Sequence, residues 1–201
     1  MNSTVNRMNE TIETILKRRS VRRFSSLQVR GEDIETILQC ALHAPSGHNL
    51  QSPRFVVMQD EETLAALNRI IQRELASRTL VPNTVMYSGI LRARQEGYHF
   101  CYRAPALISA IAPRENQNAM ADCACALENG MLAATALGLG SCWSNQPHWL
   151  TDVPALRALF ARYGMREDED IFGSVAIGYA DGPLPAPPTR KTTAPLWRLT
   201  A

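Results

Sequence analysis

Apolar positions recur along this chain with two distinct periods. Near the N-terminus Ile12, Ile15 and Leu16 fall at helical spacing behind Asn9 and Thr11, either of which can cap, and this helix should end near Arg18–Ser20. Ile34, Ile37, Leu38, Ala41 and Leu42 mark one face of a second helix, with Asp33 and Glu35 suited to its first turn. Residues 43–53, HAPSGHNLQSP, carry loop chemistry: two prolines, a glycine and small polar groups. RFVVMQ at 54–59 is a short run with β-branched residues and reads as a buried strand. Helical spacing returns over 61–75 with Leu64, Leu67, Ile71 and Leu75 on one side. ALISAIA at 106–112 predicts another buried strand, SCW at 141–143 a short one and FGSVAIGY at 172–179 the last. Between them, Met120 to Leu137 is apolar nearly all round and ends in GLG, which predicts a central, buried helix closed by glycine. Asp152 is the expected cap of a helix with Pro154 in its first turn and Leu156, Leu159 and Phe160 facing inward.

Two stretches fit neither period cleanly. Residues 76–103 are punctuated by Pro82, Gly89 and Gly97, and a helix around 84–96 with mobile surroundings is the expectation. Residues 181–201 are proline-rich and predict an extended tail. No internal repeat or linker divides the chain, so 1–201 reads as one domain. Strands separated by helices give an α/β or α+β fold, and periodicity leaves the strand order open.

Composition narrows the function classes. Hydrophobic residues make up 45% and charged residues 20%, enough for a sizeable core and too apolar for global disorder. The net charge of +2 argues against a general nucleic-acid or membrane-surface binder, so the arginine run RRSVRRF at 18–24 is a local feature. No run spans a bilayer, and the N-terminal residues lack the apolar stretch of a secretory signal, so a cytoplasmic protein is expected. The five cysteines have no framework spacing and read as reduced, mostly buried thiols.

Several chemistries lack their residues. No G-x-G-x-x-G follows a strand, because GLGSCW ends a helix where that fingerprint should open one, and no P-loop is present. Cys123 and Cys125 are two apart on a predicted helix and diverge, the four histidines are unpaired in spacing, and no metal site is expected. Ser46 and His48 have no nucleophile-elbow glycines around them. Three polar clusters remain: RRSVR at 18–22, PSGHNLQ at 45–51 and TRK at 189–191. Arginine forks and a serine hydroxyl suit phosphate oxygens, and Asn49 and Gln51 offer the donors and acceptors that the edge of a heterocycle needs. Together they describe a pocket for an organic phosphate carrying a flat polar ring. The plainer readings stand beside this one. Arg18 and Arg19 lie near a helix C-terminus, where cations are favoured anyway. Asn49 and Gln51 can be loop residues satisfying backbone groups, and Arg190 and Lys191 solvated tail charges.

Five pieces, in order, resemble the nitroreductase family of FMN-dependent oxidoreductases from about Thr11 to Lys191. ILKRRSVRRF resembles the family's R-R-S-x-R-x-[FY], and ALHAPSGHNLQSPRFVVM resembles A-P-S-x-x-N-x-Q-P-W-x-F. YRAPALI resembles Y-x-A-P-x-x-I, and DCACALENGMLAATALGLGSCW resembles the helix and G-L-G-x-x-W that follow. VAIGY before proline-rich sequence and a basic pair is the last. The resemblance implies a three-layer α/β/α form of the α+β class with a mixed, mainly antiparallel sheet, and a homodimer with FMN at the subunit interface. It implies that Arg18, Arg19, Ser20 and Arg22 contact FMN from one subunit, with Arg18, Ser20 and Arg190 at the phosphate and ribityl chain, Lys191 helping, and Arg22 at the pyrimidine end of the ring. Pro45, Ser46, Gly47 and Asn49 would come from the other subunit, with Gln51 beside them, and Ser144 and Asn145 would place backbone groups near the flavin N5 and O4. Arg23 has no family role and should face solvent or pair with an acidic neighbour.

The implied activity is NAD(P)H-dependent, with NADH or NADPH as donor and a nitroaromatic, quinone or related conjugated acceptor, by ping-pong through the flavin. No catalytic side chain is required. The same fold would also suit dehalogenation or ene reduction, and a flavin sensor or carrier without turnover is the alternative from another class. The chain departs from the family at QSP, where Ser52 and Pro53 replace proline and tryptophan, and residues 76–103 stand where a substrate lid is expected.

Overall fold

The computed structural model describes residues 8–189, and its strands form one four-stranded sheet. The strands are β1 (Arg54–Met58), β2 (Ala106–Pro113), β3 (Gly140–Ser144) and β4 (Glu169–Gly178), in the spatial order β1-β2-β4-β3. All three ladders are antiparallel: Phe55 faces Ala110, Ile108 faces Val175, and Trp143 faces Val175 from the other side. The parallel element is a single bridge between Ser20 and Ser141, through which the arginine segment lies alongside edge strand β3. The ladder between β2 and β4 shifts register after Ala110, so that Phe172 stands opposite no residue. Gly173 beside this bulge is required by packing, because a Cβ there would lie 2.5 Å from the Trp143 ring and 2.9 Å from Leu127.

Side chains alternate across a strand, so the sheet builds two cores. On one face Val56, Met58, Leu107, Ile111 and Ile171 meet α3 (Glu61–Ser77), α4 (Tyr87–Ala93) and α7 (Pro154–Ala161) through Leu67, Ile71, Leu75, Ile90, Leu156 and Phe160. Each of these fully buried large side chains contributes roughly 1.5–3 kcal/mol. On the other face Ala106, Ile108, Ala110 and Ala112 of β2 present mostly methyl groups to α5 (Ala119–Ala136). The small strand face lets α5 approach closely, and α2 (Gly31–Leu42) packs on α5 through Ile34 and Ile37. The result is the α/β/α arrangement expected.

Several element boundaries differ from the sequence reading, each for a local reason. The helix in 76–103 is only α4, pinned between α3 and Trp149; a Cβ on Gly89 would sit 2.9 Å from that indole. Asp152 does not cap α7: the cap position is Val153, and Pro154 at the first helical position brings no N–H to be satisfied. α6 (Gln146–Trp149), a single turn directly after β3, is too short to leave a periodic signal. α5 buries one face only; Met120 and Cys125 are exposed. Asn9 is the cap of α1 (Glu10–Lys17), accepting from the Ile12 N–H at 3.0 Å. That helix buries no residue: Ile12, Ile15 and Leu16 are 38%, 50% and 58% exposed. The five cysteines are free thiols, three of them buried. No helix among the described residues is long and apolar enough to cross a membrane.

Candidate functional site

The segment after α1 is held in place by backbone hydrogen bonds. The Val21 N–H donates to Ser141 O at 2.9 Å, Ser25 N–H to Tyr179 O at 2.9 Å, and Asp181 N–H to Arg23 O at 3.0 Å. Val21 is buried against Gly140, where a Cβ would fall 2.7 Å from a valine methyl. This contact fixes which neighbours of Val21 face outward. Arg18 forms a 3.4 Å ion pair with Glu128 on the outer part of α5. Arg19 turns back, donating to Leu16 O at 2.6 Å and Arg18 O at 2.8 Å, and so closes the C-terminal end of α1. Arg22 makes one long contact to Ser20 O, 3.4 Å, and its guanidinium carbon stands 5.9 Å from the centre of the Tyr102 ring. Burial works against the Arg22 charge, but the adjoining Tyr102 and Cys142 outweigh it and its pKa is raised. Burial also raises the Cys142 thiol above its ordinary value, opposed by the charge of Arg22. Arg23 is exposed and paired with Asp181 at 2.9 Å.

The second cluster lies between α2 and β1. Gly47–Asn49 form a tight turn, and His48, Asn49 and Gln51 hold φ of 53°, 55° and 49°. Ser46 Oγ accepts the Gln51 N–H at 2.9 Å, and Gln51 Nε2 donates to Asn49 Oδ1 at 3.0 Å. Pro45, Ser46, Gln51, Pro53 and Phe55 border a cavity of about 260 Å³ whose back wall is Asp122 and Ala126. Ser144 ends β3 and Asn145, which follows it, precedes α6. Ser144 Oγ donates to Gln146 Oε1 at 2.5 Å, and the Asn145 side-chain oxygen accepts from the Trp143 indole N–H. The Ser144 hydroxyl and the Asn145 side-chain oxygen are therefore engaged internally. Arg190 and Lys191 lie outside the described residues.

Within one chain these clusters do not share a cleft. The arginine segment flanks β3 and the Pro45–Gln51 loop feeds β1, and these are the two opposite edges of the sheet. Three inter-strand steps separate the edges, about 14 Å. α5 records the same separation. Gly47 bonds Asp122 in its first turns, whereas Arg18 meets Glu128 six residues on, which adds about 9 Å along the axis. One chain therefore holds the two clusters apart.

Sequence reasoning missed several supporting residues. Tyr102 and Arg103 hold φ of 58° and 57° on the turn before β2, which places Tyr102 under Arg22. A tyrosine in YRAP gives no sign of that neighbour, 80 residues away. Asp122 and Asn116, which hold the Pro45–Gln51 loop, look in the sequence like ordinary helix-start polar residues. His99 lines a different cavity of about 490 Å³ with Asn68, Tyr98 and Arg103. Burial, helped by the Arg103 charge, lowers its pKa to about 4.

The three-layer fold, with arginines at one sheet edge and a Ser/Gly/Asn loop of left-handed backbone angles at the other, defines the class of α+β protein to which the chain is similar. Known proteins match it. The sequence model of the Nitroreductase family covers residues 15–179, and the chain belongs to that family. A protein of Archaeoglobus fulgidus, provisionally named an NADH dehydrogenase/NAD(P)H nitroreductase, is 30% identical over 176 residues, 86% of each chain. A nitroreductase of Bacteroides fragilis, solved with bound FMN, superposes with a TM-score of 0.84 at 33% identity, over 95% of this chain and all of that one. Another from Desulfitobacterium hafniense, also with bound FMN, gives 0.81 at 25% identity, with the same coverage of both chains.

Proposed function

We propose that this protein is an FMN-dependent oxidoreductase that works as a homodimer, with two flavin sites, each assembled from half-sites of both subunits. The observation that carries this reading is the placement of the half-sites on opposite sheet edges. A second copy is the simplest way to bring a Pro45–Gln51 loop opposite an arginine segment. The exposed apolar stripe of α1, Ile12, Ile15 and Leu16, together with exposed Leu42 and Leu50, supplies surface for such an association. FMN-bound relatives of the same fold support the choice of cofactor.

The residues present fit FMN by the chemistry of their donors. Arg18, at the end of α1, and the Ser20 hydroxyl offer a charged fork and a short donor to phosphate and ribityl oxygens. The Arg22 guanidinium has most of its N–H groups unspent within the described residues, and would hold the pyrimidine end of the ring. Bound FMN would supply hydride-transfer chemistry between NADH or NADPH and a nitroaromatic, quinone or related conjugated acceptor, by ping-pong. The Arg22 charge, over the Tyr102 ring, would stabilise the negative charge that accumulates on the flavin on reduction, and so favour it. Ser46, Gly47 and Asn49 of the second copy would line the ring, and backbone groups of Ser144 and Asn145 would orient its reactive edge. The turn and helix within 76–103 would flank the space for donor and acceptor. No side-chain nucleophile or general base is needed.

Purified protein should be yellow and release FMN on denaturation. Protein that stays colourless and takes up no FMN on reconstitution refutes the reading. Anaerobic mixing with NAD(P)H separates turnover from storage: rapid bleaching of the flavin absorbance identifies an enzyme, and flavin that stays oxidised identifies a carrier or sensor.

A further inference from the structure

The loop expected to face the flavin carries a dense set of left-handed backbone angles. His48, Asn49 and Gln51 all have positive φ, at a cost of about 1–2 kcal/mol for each residue bearing a side chain. Such a loop keeps one shape only if its surroundings over-determine it. Asp122 in α5 and Asn116 in the turn before it do this. Asp122 is 5% exposed and its Oδ1 accepts the Gly47 N–H at 2.9 Å. It stands in the first turns of α5, where the free N–H groups of the helix favour a negative charge. Asn116 Nδ2 donates to Ser52 Oγ at 2.8 Å and, at 3.4 Å, to Asp122 Oδ2. Asn116 Oδ1 accepts the Asn118 N–H at 2.9 Å, which fixes the amide's orientation. The Asn118 side chain packs so closely under Gly47 that a Cβ on that glycine has no room.

The loop is thus clamped at both ends, Gly47 to α5, which Cys123, Ala126 and Leu127 anchor in the core, and Ser52 to Asn116 in the turn just before that helix. Resting on the functional reading above, we propose that Asp122 and Asn116 are positioning residues of the flavin site. They hold Ser46–Asn49 in the shape that lines the partner's cofactor, and neither touches it. The clamp also accounts for the departure at QSP. A proline after the glutamine would fix the backbone through its ring. Ser52 instead fixes it through the hydroxyl that Asn116 holds.

Two measurements on each variant test this: amide hydrogen exchange of Gly47 and Gln51 in the apoprotein, and the FMN dissociation constant from quenching of flavin fluorescence. Asp122→Ala should speed Gly47 exchange and weaken FMN binding about 10- to 100-fold. Asp122→Asn keeps an acceptor oxygen for Gly47 and should stay within about threefold of wild type. Ser52→Ala should weaken binding about three- to tenfold, and Ser52→Thr should restore it. If Asp122→Ala does not fold, the Ser52 pair carries the test. Faster exchange with unchanged FMN affinity overturns the positioning role, and unchanged exchange overturns the clamp itself. Wild-type protein that takes up no FMN overturns the functional reading and the flavin role with it, and exchange then reports the clamp alone.

Discussion

Replacing Gly140 with alanine should disturb the arginine segment through one identifiable contact. The new Cβ would lie 2.7, 2.9 and 3.0 Å from Cγ2, Cβ and Cγ1 of Val21, where carbon atoms are comfortable at about 3.5–4.0 Å. Val21 cannot swing aside. It is β-branched, 3% exposed, and tied by its N–H to Ser141 O at 2.9 Å. The segment must therefore move as a unit, carrying Ser20 and Arg22. Overpacking of this kind costs about 1–3 kcal/mol, which in a domain of this size lowers Tm by roughly 2–4 °C per kcal/mol. Val21→Ala alone removes two buried methyl groups, about 1.6 kcal/mol in transfer plus a cavity term. Combined, the two changes should cost about 1 kcal/mol less than their sum, because the alanine methyl occupies space the valine vacates. Relief is partial, since the Val21 Cβ stays. Urea unfolding of the apoproteins gives the stability cycle, and FMN titration should show Gly140→Ala weakened more than its stability alone requires. Additivity within about 0.5 kcal/mol, or a Gly140→Ala protein with wild-type stability and FMN affinity, refutes the packing argument.

Three further predictions follow from the charges. Arg22→Gln should lower the two-electron potential of bound flavin by about 30 mV or more, equivalent to a loss of about 1.4 kcal/mol; Arg22→Lys should retain most of it, and an unchanged potential in the glutamine variant removes Arg22 from the tuning role. Arg23→Ala, which breaks an exposed pair with Asp181, should leave FMN affinity unchanged and stability within about 0.5 kcal/mol; a tenfold loss of FMN affinity would reassign this residue. His99 has a folded pKa of about 4, against about 6.5 unfolded. The unfolded chain therefore binds the extra proton between these values, so native stability falls as pH drops from 6.5 to 4 and levels off below. A thermal-melt series should show a shallower acid slope for His99→Gln, and parallel slopes would exclude the buried imidazole as the cause.

Much of this protein was legible along the chain. The runs at 54–58 and 106–113 are β-branched and alanine-rich enough to announce buried strands, and the periodic leucines of α3 and the caps of α1 follow from local geometry. The ordered motifs marked the family, and Arg23, expected to face solvent or pair with an acidic neighbour, pairs with Asp181. These features are local: propensity, periodicity and capping act within a turn or two. Tertiary structure decided the rest. The strand order β1-β2-β4-β3 sends the Pro45–Gln51 loop and the arginine segment to opposite edges, and no local pattern encodes that pairing. The roles of Gly140, Tyr102, Asp122 and Asn116 exist only because the fold brings distant residues within contact, Val21 to Gly140 and Gly47 to Asp122. A sequence can carry the donors for a cofactor. Whether they meet within one subunit or only across two is a matter of sheet topology, set by which apolar faces can be buried together.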